Sequence, residues 1–496
     1  MSAARTETRA HPTPLKLRRA STCGALGLIV LGALALGGLW SMGPVPGGRE
    51  WPVLYLRGYA VAWVAYVCAG MAVKRARGRS RGLLVWIVVV AVGLRVVALT
   101  RTPRPSTDIY RYLWDGRVVN AGINPYLYPP EAPQLAHLRD PNWSDINFPN
   151  VRTIYPPAAQ VLFAGVARIG SWTGHRGGGR WHARPTTLDL FRWVFAAFDV
   201  GSVFVLVGLL RRTGRAPENV IWYAWCPLPI TESAAGGHVD AVGLFFLLLA
   251  LWAAARADRP GPVSAVALAA AVMTKGFALL AAPFFVRRGG VRFATWFALA
   301  CAVMVAPFAG AGRHLFDGLT AYLSAWKANA GLFVLADWAL ERVAPAHFQI
   351  TRLASLALIL ATVAWLVWRQ RPGVEGMVAG TFAALAAQLL LGAPTLPWYV
   401  VWTVPLLCWW GVWGWLVFTL TVSAQDYARW IYQEQGNLLL WAGYAPVYVL
   451  LGWQLVLHRA RCPSPARRAP LLGGPPPEQA EGGEQDGGGG ADGGKD

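Results

Sequence analysis

Long apolar runs alternate with short polar turns over most of this chain. The runs at 25–39, 53–73, 82–100 and 188–210 are built chiefly from Leu, Val, Ala and Gly. A bilayer core of about 30 Å takes about 20 such residues as a helix, so runs of this kind predict transmembrane helices. Three stretches break the rule. Residues 156–172 are apolar but short, with Gln160 and Arg168 interrupting them, which predicts a helix lying in the interface. The run 262–286 is interrupted by Thr274-Lys275-Gly276. At about 1.5 Å per residue neither half spans a bilayer, which predicts a helix pair entering and leaving on one side. The short stretch 398–410 carries the same paired expectation, and a last span covers 438–458. The prediction is an all-α, polytopic integral membrane protein with about twelve or thirteen membrane segments. No internal repeat is visible, which argues against an inverted-repeat transporter.

The turns set the topology. Basic residues concentrate at Lys74, Arg75, Arg77, Arg79 and Arg81, and again at Arg211, Arg212 and Arg215. Further ones follow at Arg256 and Arg259, at Arg287 and Arg292, and at Arg369 and Arg371. The positive-inside rule puts all of these in the cytoplasm. This register needs 156–172 not to cross, since a crossing there would send Arg211 outward. The expected organisation is a cytoplasmic tail over 1–22, a membrane domain over 23–458, and a disordered cytoplasmic tail over 459–496. The membrane domain carries a main outer loop at 101–187, with interfacial helices, and a second at 311–350. The apolar run after the basic N-terminus resembles a signal peptide at first. It lacks a small-x-small cleavage site and many spans follow, so it is read as a retained first helix. The Gly-rich tail is disordered by composition.

Composition narrows the class. Hydrophobic residues make up 55% of 496 and charged residues only 14%, well below the one quarter usual in soluble domains. The net charge of +20 raises the question of nucleic acid. A nucleic-acid binder clusters Lys and Arg on a polar surface, whereas here apolar runs separate them, so no nucleic-acid partner is expected. Six cysteines lie scattered, with no Cys-x-x-Cys and no His/Cys cluster at metal spacing, which excludes a disulfide framework or zinc site.

The stretch from Ser106 to Pro130 is the richest in chemistry. It starts where the third span leaves the membrane. As a helix from Asp108 it places Asp108, Arg111, Tyr112 and Asp115 on one face. Two carboxylates flanking an arginine suit a base working beside an anionic ligand. They equally suit a helix capped by Asp108 near Ser106 and Thr107, with Arg111 paired to Asp115 at i,i+4. His238 and Asp240 follow Gly236-Gly237 at the outer end of a span. They are read either as sugar-phosphate ligands or as a helix start. Lys275, at membrane depth in a helix break, is a functional candidate by default, with snorkelling or an acid partner such as Glu232 as the alternative. Trp398, Tyr399 and Trp402 form either an interfacial belt or a sugar-stacking surface, and so do Trp143 and Tyr155. Gly177-Gly178-Gly179 lacks a preceding strand and a following Gly-Lys-Ser/Thr, so it is a loop rather than a phosphate cradle.

These motifs in this order resemble a known family. Asp108-x-Tyr110 just past the membrane, Gly122-x-Asn124-Pro125-Tyr126, Tyr155-Pro156-Pro157 and Pro397-Trp398-Tyr399 are similar to the GT-C superfamily of integral-membrane glycosyltransferases. The closest likeness is to glycosyltransferase family 87, the polyprenyl-phosphate-mannose-dependent mannosyltransferases. The resemblance covers roughly 82–458. It implies a GT-C fold and a lipid-linked sugar donor, polyprenyl-phosphate-mannose. It further implies a glycolipid or glycan acceptor and an active site facing outward from the cytoplasmic membrane. It makes Asp108 the catalytic base. The family's paired-acid variant is absent, because Thr107 and Ile109 flank Asp108, so no metal ligand is assigned and divalent metal stays open. A leaving lipid phosphate needs cations. Arg111 and Arg117, with Tyr112, Asp115, His238, Asp240, Lys275, Trp398 and Tyr399, are the candidate donor-binding residues. Arg313, His314 and Lys327 face the same side. Two other functions compete: a transporter or flippase of lipid-linked sugars, and an outer-face glycan polymerase or ligase working through Arg313 and His314.

Overall fold

The computed structural model describes residues 14–43, 51–75, 80–101, 106–172, 186–257, 259–431 and 436–461. The polar head before residue 14, loop residues 76–79, the Gly177–Gly179 run and the tail from 462 lie outside the described residues. Helices account for nearly all of the rest. Among the described residues the only β contact is one bridge, Ala328 to Pro394. Seven helical stretches among the described residues are long and apolar enough to cross a membrane, and three shorter apolar helices lie at Leu26–Ser41, Pro262–Thr274 and Pro397–Cys408. The chain is therefore an all-α polytopic membrane protein. Short, broken or kinked segments account for the gap between these figures and the larger count expected. Contacts divide the chain into Met1–Leu451 and Gly452–Asp496. Of the second unit only the end of the helix Gly436–Arg461 is described.

The first three helices are α1 (Pro14–Ser41), α2 (Trp51–Arg75) and α3 (Arg81–Arg101). The helix α1 starts well before the boundary expected at 23. Next come α4 (Asp108–Asn120), α5 (Pro157–Trp172) and α6 (Thr187–Arg212). The apolar stretch expected at the interface is α5, a helix of 16 residues that packs on α4 and α6. With 26 residues, α6 runs about 39 Å, enough to cross. A Thr186–Asp189 capping box fixes its start.

After α6 the chain recrosses in pieces. Residues 217–235 form short 3-10, α and π turns broken at Pro227 and Pro229, all but wholly buried. Then follow α7 (Asp240–Arg256) and α8 (Pro262–Thr274). The expected break is present: Lys275 is extended, with φ −152° and ψ 124°. A 3-10 turn, Gly276–Ala281, leads into α9 (Ala282–Val305). Gly289 lies against the Pro260 carbonyl, so this pair returns to the side it came from.

The stretch 397–408 departs from expectation. It is not a pair. Tyr399 touches Phe277, next to Lys275, while the Trp409 indole donates to Thr213 at the far end of α6. Most of it, Val401–Cys408, is 3-10 helix and fully buried. A 3-10 helix rises about 2.0 Å per residue, so these eight residues advance about 16 Å, against about 12 Å for an α-helix of equal length.

The basic turns gather at one end. Arg215 pairs with Glu375 at 2.7 Å, the Ser80 amide donates to Glu218, and the Asn219 amide donates to the Cys408 carbonyl. The region 106–172 lies at the opposite end. There Tyr112, Phe163, Phe191, Phe195, Val239 and Val242 form one buried cluster. Each such side chain contributes roughly 1.5–3 kcal/mol. The cluster seats α4 and α5 on the starts of α6 and α7. Gly116 makes the α4–α5 contact close, because a Cβ there would lie 2.3 Å from the Phe163 carbonyl oxygen.

Candidate functional site

Asp108 opens α4 but does not cap it through its side chain. Its backbone N–H donates to Ser106 Oγ at 3.2 Å. Its carboxylate instead accepts from Asn147 Nδ2 at 2.8 Å, across the loop that follows α4. The group is half-buried. Loss of water raises its pKa above the ordinary carboxylate value, and the nearby Asp240 charge adds to this. The Asn147 hydrogen bond and the Lys275 charge oppose the rise.

Asp240 and Lys275 come from different helices and meet here. Lys275 Nζ lies 3.2 Å from Asp240 Oδ2, while Trp402 Nε1 donates to Asp240 Oδ1 at 2.8 Å. Because Lys275 is the extended residue between two helical pieces, its side chain leaves the break freely. Its ammonium stands 5.4 Å from the ring centres of both Tyr155 and Tyr399, within range for cation–π attraction. Tyr399 is buried, and its hydroxyl lies 2.6 Å from that of Tyr322. Lys275 has thus taken an acid partner, as the alternative reading expected, but the acid is Asp240 rather than Glu232.

His238 is brought to the same place. Gly237 takes the left-handed backbone, φ 70°, and a Cβ there would lie 2.8 Å from Ile109 Cδ1. That turn aims His238 inward, where it is 1% exposed. Its ring stands edge-on to Trp398, with centroids 3.9 Å apart. Its Nδ1 is 3.7 Å from Glu232 Oε2, and neither ring nitrogen has a hydrogen-bond partner among the described residues. Trp398 and Tyr399 therefore face His238 and Lys275 instead of forming a surface belt. Arg192 holds the turn by donating to the carbonyls of Ala234 and Ala98. Deeper, Arg95 pairs with Asp199 at 3.1 Å, and Ser233 Oγ donates to the same carboxylate at 2.7 Å. Tyr223 completes that buried network. It ties α3 and α6 to the π-turn below Glu232.

The remaining predicted residues are spent on partners within 106–172 and 314–347. Arg111 pairs with Asp115 at 2.9 Å and donates to the Val151 carbonyl at 3.0 Å. Asp115 also accepts from Thr153 Oγ1 at 2.5 Å and from Gln160 Nε2 at 3.2 Å. The observed arrangement is thus the i,i+4 pair, extended into a clamp on 151–153. Tyr112 stacks on Phe163 with ring centres 4.6 Å apart. Arg117 pairs with Asp140 at 2.5 Å. Trp143 donates to the Pro130 carbonyl and carries Arg139 over its ring. His314 and Arg152 share Asp317, and Lys327 and His347 share Asp337. No group of three or more His, Cys, Asp or Glu is placed to hold a metal among the described residues.

Sequence reasoning missed Asn147, Tyr322 and the roles of Tyr155 and Trp402 around the charged groups. Tyr155-Pro156-Pro157 was at least a visible motif. Nothing in the local pattern singles out Asn147, which lies 39 positions from the carboxylate it grips.

Residues 23–288 match the family model MptA_B, described as alpha-(1->6)-mannopyranosyltransferase, N-terminal domain. That range holds Asp108, Asn147, Tyr155, His238, Asp240 and Lys275, while Tyr322, Trp398, Tyr399 and Trp402 come from beyond it. No curated protein shows a significant match.

Proposed function

Because the chain belongs to the MptA_B family of alpha-(1->6)-mannopyranosyltransferases, we propose that it moves mannose from a polyprenyl-phosphate donor to a hydroxyl of a glycolipid or glycan, with inversion. In this reading the protein is a GT-C enzyme of the cytoplasmic membrane, and its site faces outward. The carrying observation is that one half-buried carboxylate, Asp108, lies within electrostatic reach of a lysine held in a helix break, Lys275. The clustering of basic turns at the opposite end supports the outward orientation.

Asp108 takes the acceptor's proton as the acceptor oxygen attacks the anomeric carbon. The bond from that carbon to the phosphate oxygen breaks, and the lipid phosphate leaves with one more negative charge. A base works best when its pKa approaches the working pH, which is the direction in which burial moves Asp108. Lys275 stabilises the leaving phosphate. Asp240, anchored by Trp402, holds the lysine in place, and the His238 nitrogens, which make no hydrogen bond among the described residues, bind sugar or phosphate oxygens. Trp398 and Tyr399 wall this half of the site. Arg111 and Asp115 keep the loop bearing Asn147 folded, Tyr112 packs behind them, and Arg117 braces the loop through Asp140.

The test is transfer from radiolabelled polyprenyl-phosphate-mannose by purified protein. Asp108→Asn is expected to lose about a hundredfold or more in turnover while remaining folded. A variant working at the wild-type rate refutes the assigned base, and a wild type that moves no mannose refutes the reading.

A further inference from the structure

Phe148 stands out in the loop that supplies Asn147. It has φ 52°, a left-handed backbone that is a true outlier for a bulky residue. It also precedes Pro149, a position that favours extended backbone. Its side chain is 53% exposed, and it belongs to none of the buried apolar clusters among the described residues. Core packing therefore does not explain the strain. Strain of this kind persists where the surroundings fix it, and it gathers at ligand sites.

The surroundings here are specific. The Phe148 ring meets Trp326, from the second outer loop, with centroids 4.6 Å apart at 61°. Trp326 in turn lies 5.5 Å from Tyr322, whose hydroxyl touches that of Tyr399 beside Lys275. On the other side, the neighbouring Asn147 holds Asp108. The Phe148 carbonyl accepts from the Val151 amide at 3.0 Å, and Arg111 grips the Val151 carbonyl. An aromatic pair built from two separate loops thus sits one residue from the group that fixes the base.

We propose that Phe148 and Trp326 form the acceptor platform, on which the apolar face of a pyranose ring stacks while one of its hydroxyls reaches Asp108. This rests on the mannosyltransferase reading above and names the ring chemistry that reading needs. The C–H groups of one sugar face carry partial positive charge, and an aromatic face is negative. Two rings set at an angle grip one such face, and the strained loop gives them a fixed position next to the base. A sugar acceptor is favoured over the donor's lipid chain because the pair is tied through Asn147 to the proton acceptor.

The probe is octyl α-D-mannopyranoside, with purified full-length protein. Binding is read by saturation-transfer NMR, and acceptor and donor KM by transfer from polyprenyl-phosphate-mannose. Phe148→Gly suits the left-handed backbone and removes only the ring, so folding is preserved. It is expected to raise the acceptor KM about tenfold with donor KM unchanged. Trp326→Ala is expected to do the same, and Phe148→Tyr to behave as wild type. Unchanged acceptor KM and mannoside binding in the Gly and Ala variants overturn the platform while leaving the mannosyltransferase reading intact. A rise in donor KM alone assigns the rings to the lipid chain and also overturns it. Mannoside binding that is lost in the variants, in a protein that transfers no mannose, supports the platform and sinks the enzyme reading.

Discussion

Removing the charge of Lys275 separates structural from chemical roles at the site. Asp240 is 2% exposed; among the described residues it pairs with Lys275 and accepts a hydrogen bond from Trp402. In Lys275→Met a buried carboxylate keeps one hydrogen bond and loses its cation. Breaking a buried pair on one side costs about 3–5 kcal/mol, enough to lower the melting temperature clearly. Lys275→Met combined with Asp240→Asn removes both charges and leaves an amide that still accepts from Trp402, so most of that stability returns. Activity does not return if Lys275 stabilises a leaving phosphate. A cation about 4 Å from the new charge, at an effective dielectric near 20, is worth about 4 kcal/mol, or about a thousandfold in rate. The assay is thermal unfolding in detergent by tryptophan fluorescence, run beside mannose transfer. A double variant that regained both stability and turnover would falsify the phosphate role and reduce Lys275 to a counter-ion for Asp240.

Other expectations follow from the same geometry. A base must be ionised, and burial raises the pKa of Asp108, so kcat/KM falls as pH drops through a value above the ordinary aspartate range near 4. Asn147→Ala deletes a hydrogen bond that favours the ionised form, so the acid limb moves to still higher pH; an unchanged limb contradicts the contact. Arg111→Gln lowers kcat through the loosened 151–153 loop and leaves donor KM unchanged, because the guanidinium is committed to Asp115 and Val151. A selective rise in donor KM would show that it binds phosphate after all. Arg117→Ala changes stability by less than about 1 kcal/mol, as for a partly exposed pair, read from the melting curve. Gly116→Ala drives a methyl onto the Phe163 backbone oxygen, which separates α4 from α5 and lowers both melting temperature and activity; near-wild-type behaviour refutes the close packing.

Much of this molecule was legible from residue order. Hydropathy gave the long apolar helices, the shorter helix α5 and the break at Lys275, because each depends on whether a local stretch can bury its own backbone in lipid. The position of Asp108 at the exit of α3 was visible for the same reason, and so was the peculiarity of Gly236-Gly237 ahead of His238. The stretch 397–408 was misread as a pair because length alone does not say where its ends lie, and those ends are placed by Phe277 and Thr213, far away in the chain. The partners of the charged groups were legible only in part. Whether Arg111 met a ligand or Asp115 could not be told from their spacing, which serves both. Asn147 on Asp108, Trp402 on Asp240, and Phe148 on Trp326 join residues far apart in the chain, from loops without periodicity. Residue order sets which segments are apolar enough to enter a membrane and where a carboxylate follows one, since transfer free energy acts residue by residue. Which polar groups meet depends on the folded packing, since a buried charge takes the partner brought within its reach.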